Sequence, residues 1–334
     1  MKKNRFVSAL AILGAFVGFP CAVLAQPLTF SSANLATGSG PAMVVPADVN
    51  NDGYVDLVCA NFGFRLGNAF GSGGGTGTTL SVFTNGGGGN LVLSATLTVG
   101  LEPAGIAAAD VNGDGAVDLI SANVGDNTLS VLTNDGKGGF ALAGTFPVGD
   151  APTFVAAADV NGDGSVDLIS ANYGDSTLTV LTNDGHGSFK RCATLAVGSE
   201  PNCIAAVDIN GDGKVDLVCA NSGDNTLEML TNNGRGVFTR SATVGVTAGA
   251  TWVIGTDVDH DGTVDLVAAN ADTFGSTLTV LTNDGRGHFS LKSTASVSGS
   301  ASTVVAADMN SDGKVDLICP NNGNFIQGSA TVLT

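Results

Sequence analysis

The sequence predicts an all-β fold, a six-bladed propeller of four-stranded antiparallel blades, and three observations lead to it. A nine-residue pattern, Asp-x-Asn/Asp-x-Asp-Gly-x-x-Asp, starts at Asp48, Asp110, Asp159, Asp208, Asp257 and Asp308, at intervals of 62, 49, 49, 49 and 51 residues. Repetition at that period marks an array of one supersecondary unit. Between the copies, short Val/Leu/Ile/Thr runs alternate with Gly-Asp-Asn turns, the composition of strands and tight turns. The ends are also complementary. Leu28-Thr29-Phe30 matches the strand that follows each Asn-Asp-Gly turn, and Thr331-Val332-Leu333-Thr334 matches the strand before it. The first strand is therefore expected to complete the last blade and close the ring without an exposed edge.

In chain order, Lys2, Lys3 and Arg5 precede an apolar run from Phe6 to Phe19 and then Val23-Leu24-Ala25. This is the layout of a Sec-type export signal over residues 1–25, and the run is short for a bilayer span. An uncleaved anchor is the alternative. Cys21 follows Gly18-Phe19-Pro20, a poor lead-in for lipidation. Residues 26–334 are then expected to form one propeller domain that is secreted or periplasmic, monomeric and not inserted in a membrane.

The unit beginning at Phe140 shows the grammar of the repeat. Strands are expected at Phe140–Val148, Phe154–Val160, Asp167–Asn172 and Thr177–Thr182, and Asn183-Asp184-Gly185 suits a tight hairpin. Ala107-Ala108-Ala109 and Ala156-Ala157-Ala158 precede aspartate loops. Such strands suit the crowded axis of a propeller, where large side chains are not expected. The following Val-Asp-Leu-Ile/Val strands are apolar on both faces, as in sheets sandwiched between neighbours. Insertions at 62–78, 272–275 and 322–328 all fall at one inter-strand connection, so they project from one face, the usual mark of a binding surface.

Within each motif, positions 1, 3, 5 and 9 offer side-chain oxygens and position 7 a backbone carbonyl. The candidate metal ligands are Asp48, Asn50, Asp52, Tyr54 and Asp56; Asp110, Asn112, Asp114, Ala116 and Asp118; Asp159, Asn161, Asp163, Ser165 and Asp167; Asp208, Asn210, Asp212, Lys214 and Asp216; Asp257, Asp259, Asp261, Thr263 and Asp265; and Asp308, Asn310, Asp312, Lys314 and Asp316. Glycine at position 6 permits the sharp turn around an ion. All-oxygen donors point to Ca2+, at about six sites, over zinc or iron; Mg2+ is the weaker alternative because it retains waters in strict octahedral geometry. An EF-hand would need an acid at position 12 and a helix beyond. That position holds Cys59, Ser121, Ser170, Cys219, Ala268 or Cys319, and a strand follows. A site that accepts Cys, Ser or Ala asks for a small buried side chain. The ion is expected to be structural, because every copy is built alike while functional sites are singular.

The formal charge is −17, and 19 of the 30 acidic residues lie in the motifs, so the acidity belongs mainly to the loops. No basic stripe is left to hold a phosphate backbone, which excludes nucleic acid. The cysteines beyond the signal are expected to be mostly buried free thiols, with Cys192 and Cys203 left open as a pair. His186, His260 and His288 sit in turns or in a metal loop at positions that sister blades fill with other residues, an arrangement unlike catalysis.

The stretches Ala-Asp-Val-Asn-Gly-Asp-Gly-x-Val-Asp-Leu-Ile-x-Ala-Asn at 109–123 and 158–172, and Leu-Thr-Asn-Asp-Gly-x-Gly-x-Phe at 132–140 and 181–189, resemble the FG-GAP/VCBS repeat family. These are the calcium-bearing blades also found in integrin alpha-subunit propellers. The resemblance implies calcium in loops on one face and ligand contacts on the other. Members often have seven blades, whereas this chain counts six. The family hosts adhesion proteins, lectins and modules of enzymes, so fold does not settle function. The expected role is recognition or adhesion toward a glycan or a cell-surface or extracellular protein. Its candidate ligand face is Phe62, Phe64, Arg65, Tyr173, Trp252, Phe274 and Phe325, with Trp252 placed in a turn between blades. Asp126, Asp175 and Asp224 read as turn caps. A carbohydrate-active enzyme and a structural envelope or matrix protein are the alternatives.

Overall fold

Six antiparallel sheets of four strands each succeed one another along the chain and form the blades of a β-propeller. The structure, a computed structural model, describes residues 34–63, 76–247, 249–272, 275–297, 299–322 and 329–333. Blade two is representative. Its strands Pro103–Ala109, Asp118–Asn123, Thr128–Asn134 and Phe140–Pro147 pair in chain order from the axis outward. Blade six differs. Ser300–Ala301 and Val305–Ala307 both pair with Asp316–Asn322, which carries Ser329–Leu333 on its other edge. Leu28-Thr29-Phe30, the segment expected to close the ring, lies outside the described residues.

The strand expected at Phe154–Val160 runs instead over Pro152–Ala158. Val160 has already left the sheet, because its N–H donates to Asp167 Oδ2 at 3.1 Å. The second strands of blades two, three and four are buried at every residue, which explains their doubly apolar sequence. The core is a set of layers between adjacent blades. Val111, Ile120 and Val131 of blade two, for example, meet Val155, Leu168 and Leu181 of blade three.

Large side chains do reach the axis, contrary to the expectation. Phe154 and Trp252, third residues of their innermost strands (Pro152–Ala158 and Ala250–Thr256), make an edge-to-face contact at 5.3 Å. The innermost strand of blade four lies between them. Small residues at the same strand position make the room. Cys203 is buried, with its thiol toward Val253 O at 3.6 Å. A Cβ on Gly105 would stand 2.7 Å from Thr153 O. Across blades two to five, small and aromatic residues thus alternate at this position, so the volume limit applies to the ring and not to each strand.

The Cys/Ser/Ala position is buried in all six blades, as its composition requires. Its hydroxyl has a further use. Ser121 and Ser170 donate to Asn123 and Asn172 Oδ1 at 3.0 and 2.9 Å. These asparagines end the second strands and donate in turn to hydroxyls of the third, as Asn172 does to Thr177 and Thr179. Alanine removes the donor, and Asn270 Oδ1 is left buried without a partner. Cys59 turns its thiol to Ala60 O, and Asn61 Oδ1 is likewise unpaired.

Ala268→Ser restores the missing donor and is expected to raise unfolding stability by about 0.5–1.5 kcal/mol, read from denaturant melts; a loss of that size would contradict the assignment. Asn183→Ala is expected to cost about 1–3 kcal/mol, because its amide donates to Val111 O at 2.7 Å and to Val166 O at 2.9 Å. Thr182→Ala, at a half-buried neighbour whose hydroxyl makes only a long 3.4 Å contact to Lys190 O, should stay within about 0.5 kcal/mol.

Candidate metal centres

The blade topology puts two kinds of loop on one face: the aspartate loops, between first and second strands, and the Asn-Asp-Gly turns, between third and fourth. Gly-Asp-Asn turns and inter-blade links occupy the opposite face. All three sequence insertions fall there, but 64–75, 273–274 and 323–328 lie outside the described residues.

Each loop is organised by its own carboxylates. Position 6 glycine, at φ between +79° and +89°, donates its N–H to Oδ2 of the position 1 aspartate in all six copies, at 2.7–3.0 Å. The position 7 N–H donates to Oδ1 of the position 5 aspartate at 2.8–3.0 Å, again in all six. These bonds fold the loop back on itself and gather its side-chain oxygens.

The ninth-position aspartates are the anchors. Asp56, Asp118, Asp167, Asp216, Asp265 and Asp316 are all buried. One carboxylate oxygen accepts the position 2 N–H at 2.7–3.3 Å in every copy. In blades one to five the other accepts the N–H of Asn85, Asn134, Asn183, Asn232 or Asn283, at 2.7–2.8 Å. One side chain thereby ties together the ends of three strands. The last four of these asparagines also reach the preceding blade. Their Nδ2 groups donate to Val49, Val111, Val160 and Ile209 O at 2.7–2.8 Å. The sequence did not reveal this link, since its partners lie 72–85 residues apart.

The loop of blade five has the donor set of a hard cation. Carboxylate oxygens of Asp257, Asp259 and Asp265 lie within 4.8 Å of one another, and a calcium shell of radius about 2.3–2.6 Å admits oxygens up to about 5 Å apart. It is the one such group among the described residues. In the other copies position 3 is asparagine. Asn50 and Asn112 donate Nδ2 to Asp52 and Asp114 Oδ2 at 3.0 and 2.9 Å. In blade four, Lys214 Nζ lies 2.9 Å from Asp212 Oδ2, so this loop carries a cation of its own.

Burial pushes the Asp167 carboxyl up to about 6, against the lowering effect of its two backbone hydrogen bonds, and Asp163 and Asp159 raise it further. Burial likewise raises Asp118, Asp216 and Asp265. The exposed Asp261 is held low by the Thr263 hydroxyl and amide, and Asp212 chiefly by Lys214.

On the opposite face the aromatic candidates separate. Phe62 is buried against Ala104, Val124 and Ala151, with half-buried Tyr173 at the edge of this cluster. It packs in this cluster instead of standing exposed. Trp252 belongs to an innermost strand and not to a turn, and it packs on both flanking layers. Phe64, Arg65, Phe274 and Phe325 lie outside the described residues. Asp126, Asp175 and Asp224 brace the preceding inter-blade link, accepting the N–H of Leu101, Asp150 and Ser199 at 2.6, 3.1 and 2.6 Å, and Asp175 also takes the Thr177 hydroxyl of its own turn at 2.6 Å. Cys192 is exposed and Cys203 buried, and both are free thiols. His288 Nδ1 lies 2.9 Å from Asp284 Oδ2 in an exposed turn.

The FG-GAP-like repeat pattern matches at residues 110–170, 159–219, 208–268 and 257–319. The chain belongs to the FG-GAP-like repeat family. No curated protein matches it. Solved structures similar to it include a Lactobacillus plantarum protein, 17% identical, covering 90% of this chain and 86% of that one at a TM-score of 0.59. A functionally unknown protein from Desulfotomaculum acetoxidans is 14% identical over 85% and 83%, at 0.58. BBS1N in complex with ARL6DN is 12% identical over 84% and 76%, at 0.55. At such identities the FG-GAP-like chain shares their fold.

A carboxyl that ionises near 6 when folded and at 3.8 when unfolded favours folding while protonated, and that contribution is lost as pH rises from 3.8 through about 6. In chelator the protein is therefore expected to melt higher at pH 5 than at pH 7. Asp167→Asn, in chelator, should flatten this dependence; a melt that rises with pH over the same window would contradict the raised carboxyl.

Proposed function

We infer that the protein is an exported, calcium-binding propeller that acts as a recognition or adhesion module for a glycan or a cell-surface or extracellular protein. The observation that carries this reading is an asymmetry between the two faces. The aspartate-loop face repeats one hydrogen-bonding scheme in every copy. The opposite face is where the blades differ from one another, in side chains and in connection length. Repetition suits a stabilising ion, and singular features suit a ligand.

The residues that would hold calcium are the loop oxygens at positions 1, 3, 5 and 9 and the carbonyl at position 7. An ion bound there supplies positive charge among carboxylates that repel one another, with no part in bond making. The protein's own contribution is to orient those oxygens through the glycine and position 7 amides. It also joins the loops of blades one to four to the next blade through the asparagine amides. Binding to the folded form alone stabilises it by mass action. Export is supported by the N-terminal segment with its Lys2, Lys3 and Arg5 followed by an apolar run. No helix among the described residues is long and apolar enough to cross a membrane.

At pH 7, millimolar calcium is expected to raise the melting temperature of residues 26–334 over that in chelator, with magnesium giving the smaller shift. Identical melts in calcium and in chelator would overturn the calcium part of the reading. Labelled protein that adheres to no cell or matrix surface while folded would overturn the recognition part.

A further inference from the structure

Blades three and four meet in a constellation that the repeat does not explain. The link between blades carries a left-handed residue next to its proline, and the occupants are Gly40, Glu102, Ala151 and Glu200, at φ of 58°, 57°, 51° and 56°. Glycine accepts this conformation freely, whereas other L-residues pay about 1 kcal/mol or more. Glu102 is buried. Glu200 is half-exposed, Tyr173 stands beside it, and the Ser222 hydroxyl lies 3.4 Å from its Oε2. Beside it stand Asn202 and Ser222. Asn202 Nδ2 donates to Ser222 Oγ at 2.7 Å, and Ser222 Oγ donates to Glu200 O at 3.0 Å. The equivalents of Asn202 and Ser222 in blade two are the buried Ala104 and Val124. One blade boundary is therefore polar where another is apolar.

The link bearing Glu200 also has a support of its own. At the third-strand position where blades one, two, three and five carry Ser81, Ser130, Thr179 and Thr279, blade four carries Glu228, only 2% exposed. Its Oε2 accepts the Gly198 N–H at 3.0 Å, two residues before Glu200. Its Oε1 meets Arg240 Nε at 2.6 Å. Arg240 in turn donates to Ala196 O at 3.2 Å. A buried carboxylate needs such pairing to be tolerated, and here the pair fixes the backbone that presents the half-exposed glutamate. Rigid support behind an exposed polar group is how a binding site is preorganised.

We propose that the face opposite the aspartate loops carries, at the boundary of blades three and four, a site for a neutral sugar residue. Tyr173, half-buried against Phe62, Ala104, Val124 and Ala151, offers the part of its ring that stays exposed, Glu200 accepts hydroxyls, and Asn202 and Ser222 complete the polar side. An aromatic surface beside convergent hydrogen-bonding groups matches the alternating C–H and O–H surface of a saccharide. The carboxylate of Glu200, on a chain of formal charge −17, disfavours uronate and sulfate groups. This assignment rests on the recognition reading and narrows it to one site and one ligand class.

The test uses residues 26–334 in calcium, with immobilised neutral oligosaccharides beside uronate-bearing and sulfated ones. Emission of Trp252, the single tryptophan, serves as a solution readout, since its partner Phe154 adjoins Thr153, whose hydroxyl bonds Pro201 O at 3.3 Å. Binding to neutral sugars is expected. Glu200→Gln and Asn202→Ala should each weaken it by about tenfold at unchanged melting temperature. Sugar binding that neither variant alters would overturn the site and leave recognition standing. Preference for anionic sugars would overturn the charge argument. Silence toward every sugar from folded protein would overturn the proposal itself and leave a protein partner for the recognition reading.

Discussion

The buried ninth-position aspartate is the constraint on which the rest of the structure depends. It takes one amide from its own loop and, in blades one to five, one from the end of the third strand. The asparagine at that strand end then extends the bond network into the preceding blade. The same residues that form each loop therefore also set the distance and angle between blades. This arrangement concentrates negative charge. Carboxylate oxygens within 4.8 Å of one another repel by about 3 kcal/mol or more at an effective dielectric near 20. The backbone amides aimed at the carboxylates offset part of this, and a proton or a cation can relieve the remainder.

Much of the fold was legible because one unit is written six times in phase. Blade number, strand order and the small buried position at Cys59, Ser121, Ser170, Cys219, Ala268 and Cys319 followed from aligning the copies. What was not legible depends on the radial arrangement. Trp252 was placed in a turn between blades, and the link before it lacks the Gly-x-x-Pro form that leads into blades one to four. Its true place, and the alternation of Gly105, Phe154, Cys203 and Trp252 around the axis, depend on which strands face one another across the channel. Phe62 read as exposed because it opens an insertion, yet it packs under the neighbouring link. The site residues on the aspartate face were readable one by one, whereas the asparagines that bind blade to blade were seen only as turn formers.

The two faces differ in how far they follow the repeat. Every blade needs its loop, so substitutions there are felt through the whole interface network. The opposite face carries turns and links whose backbone is held by caps such as Asp126 and Asp224, leaving neighbouring side chains free to differ. Glu228 shows the cost of a departure from the repeat. A carboxylate placed where the sister blades keep a small hydroxyl requires Arg240 and the Gly198 amide to satisfy it. The departure is tolerated because the surrounding blades are fixed elsewhere.

We propose that the six aspartate loops bind calcium and that the bound ions hold the blades together. Equilibrium dialysis of the folded chain against calcium at pH 7, with bound ions counted per chain, tests it most directly. The account predicts about six ions, one for each copy of the motif. A count of none, or of one confined to the loop of Asp257, Asp259 and Asp265, would contradict it.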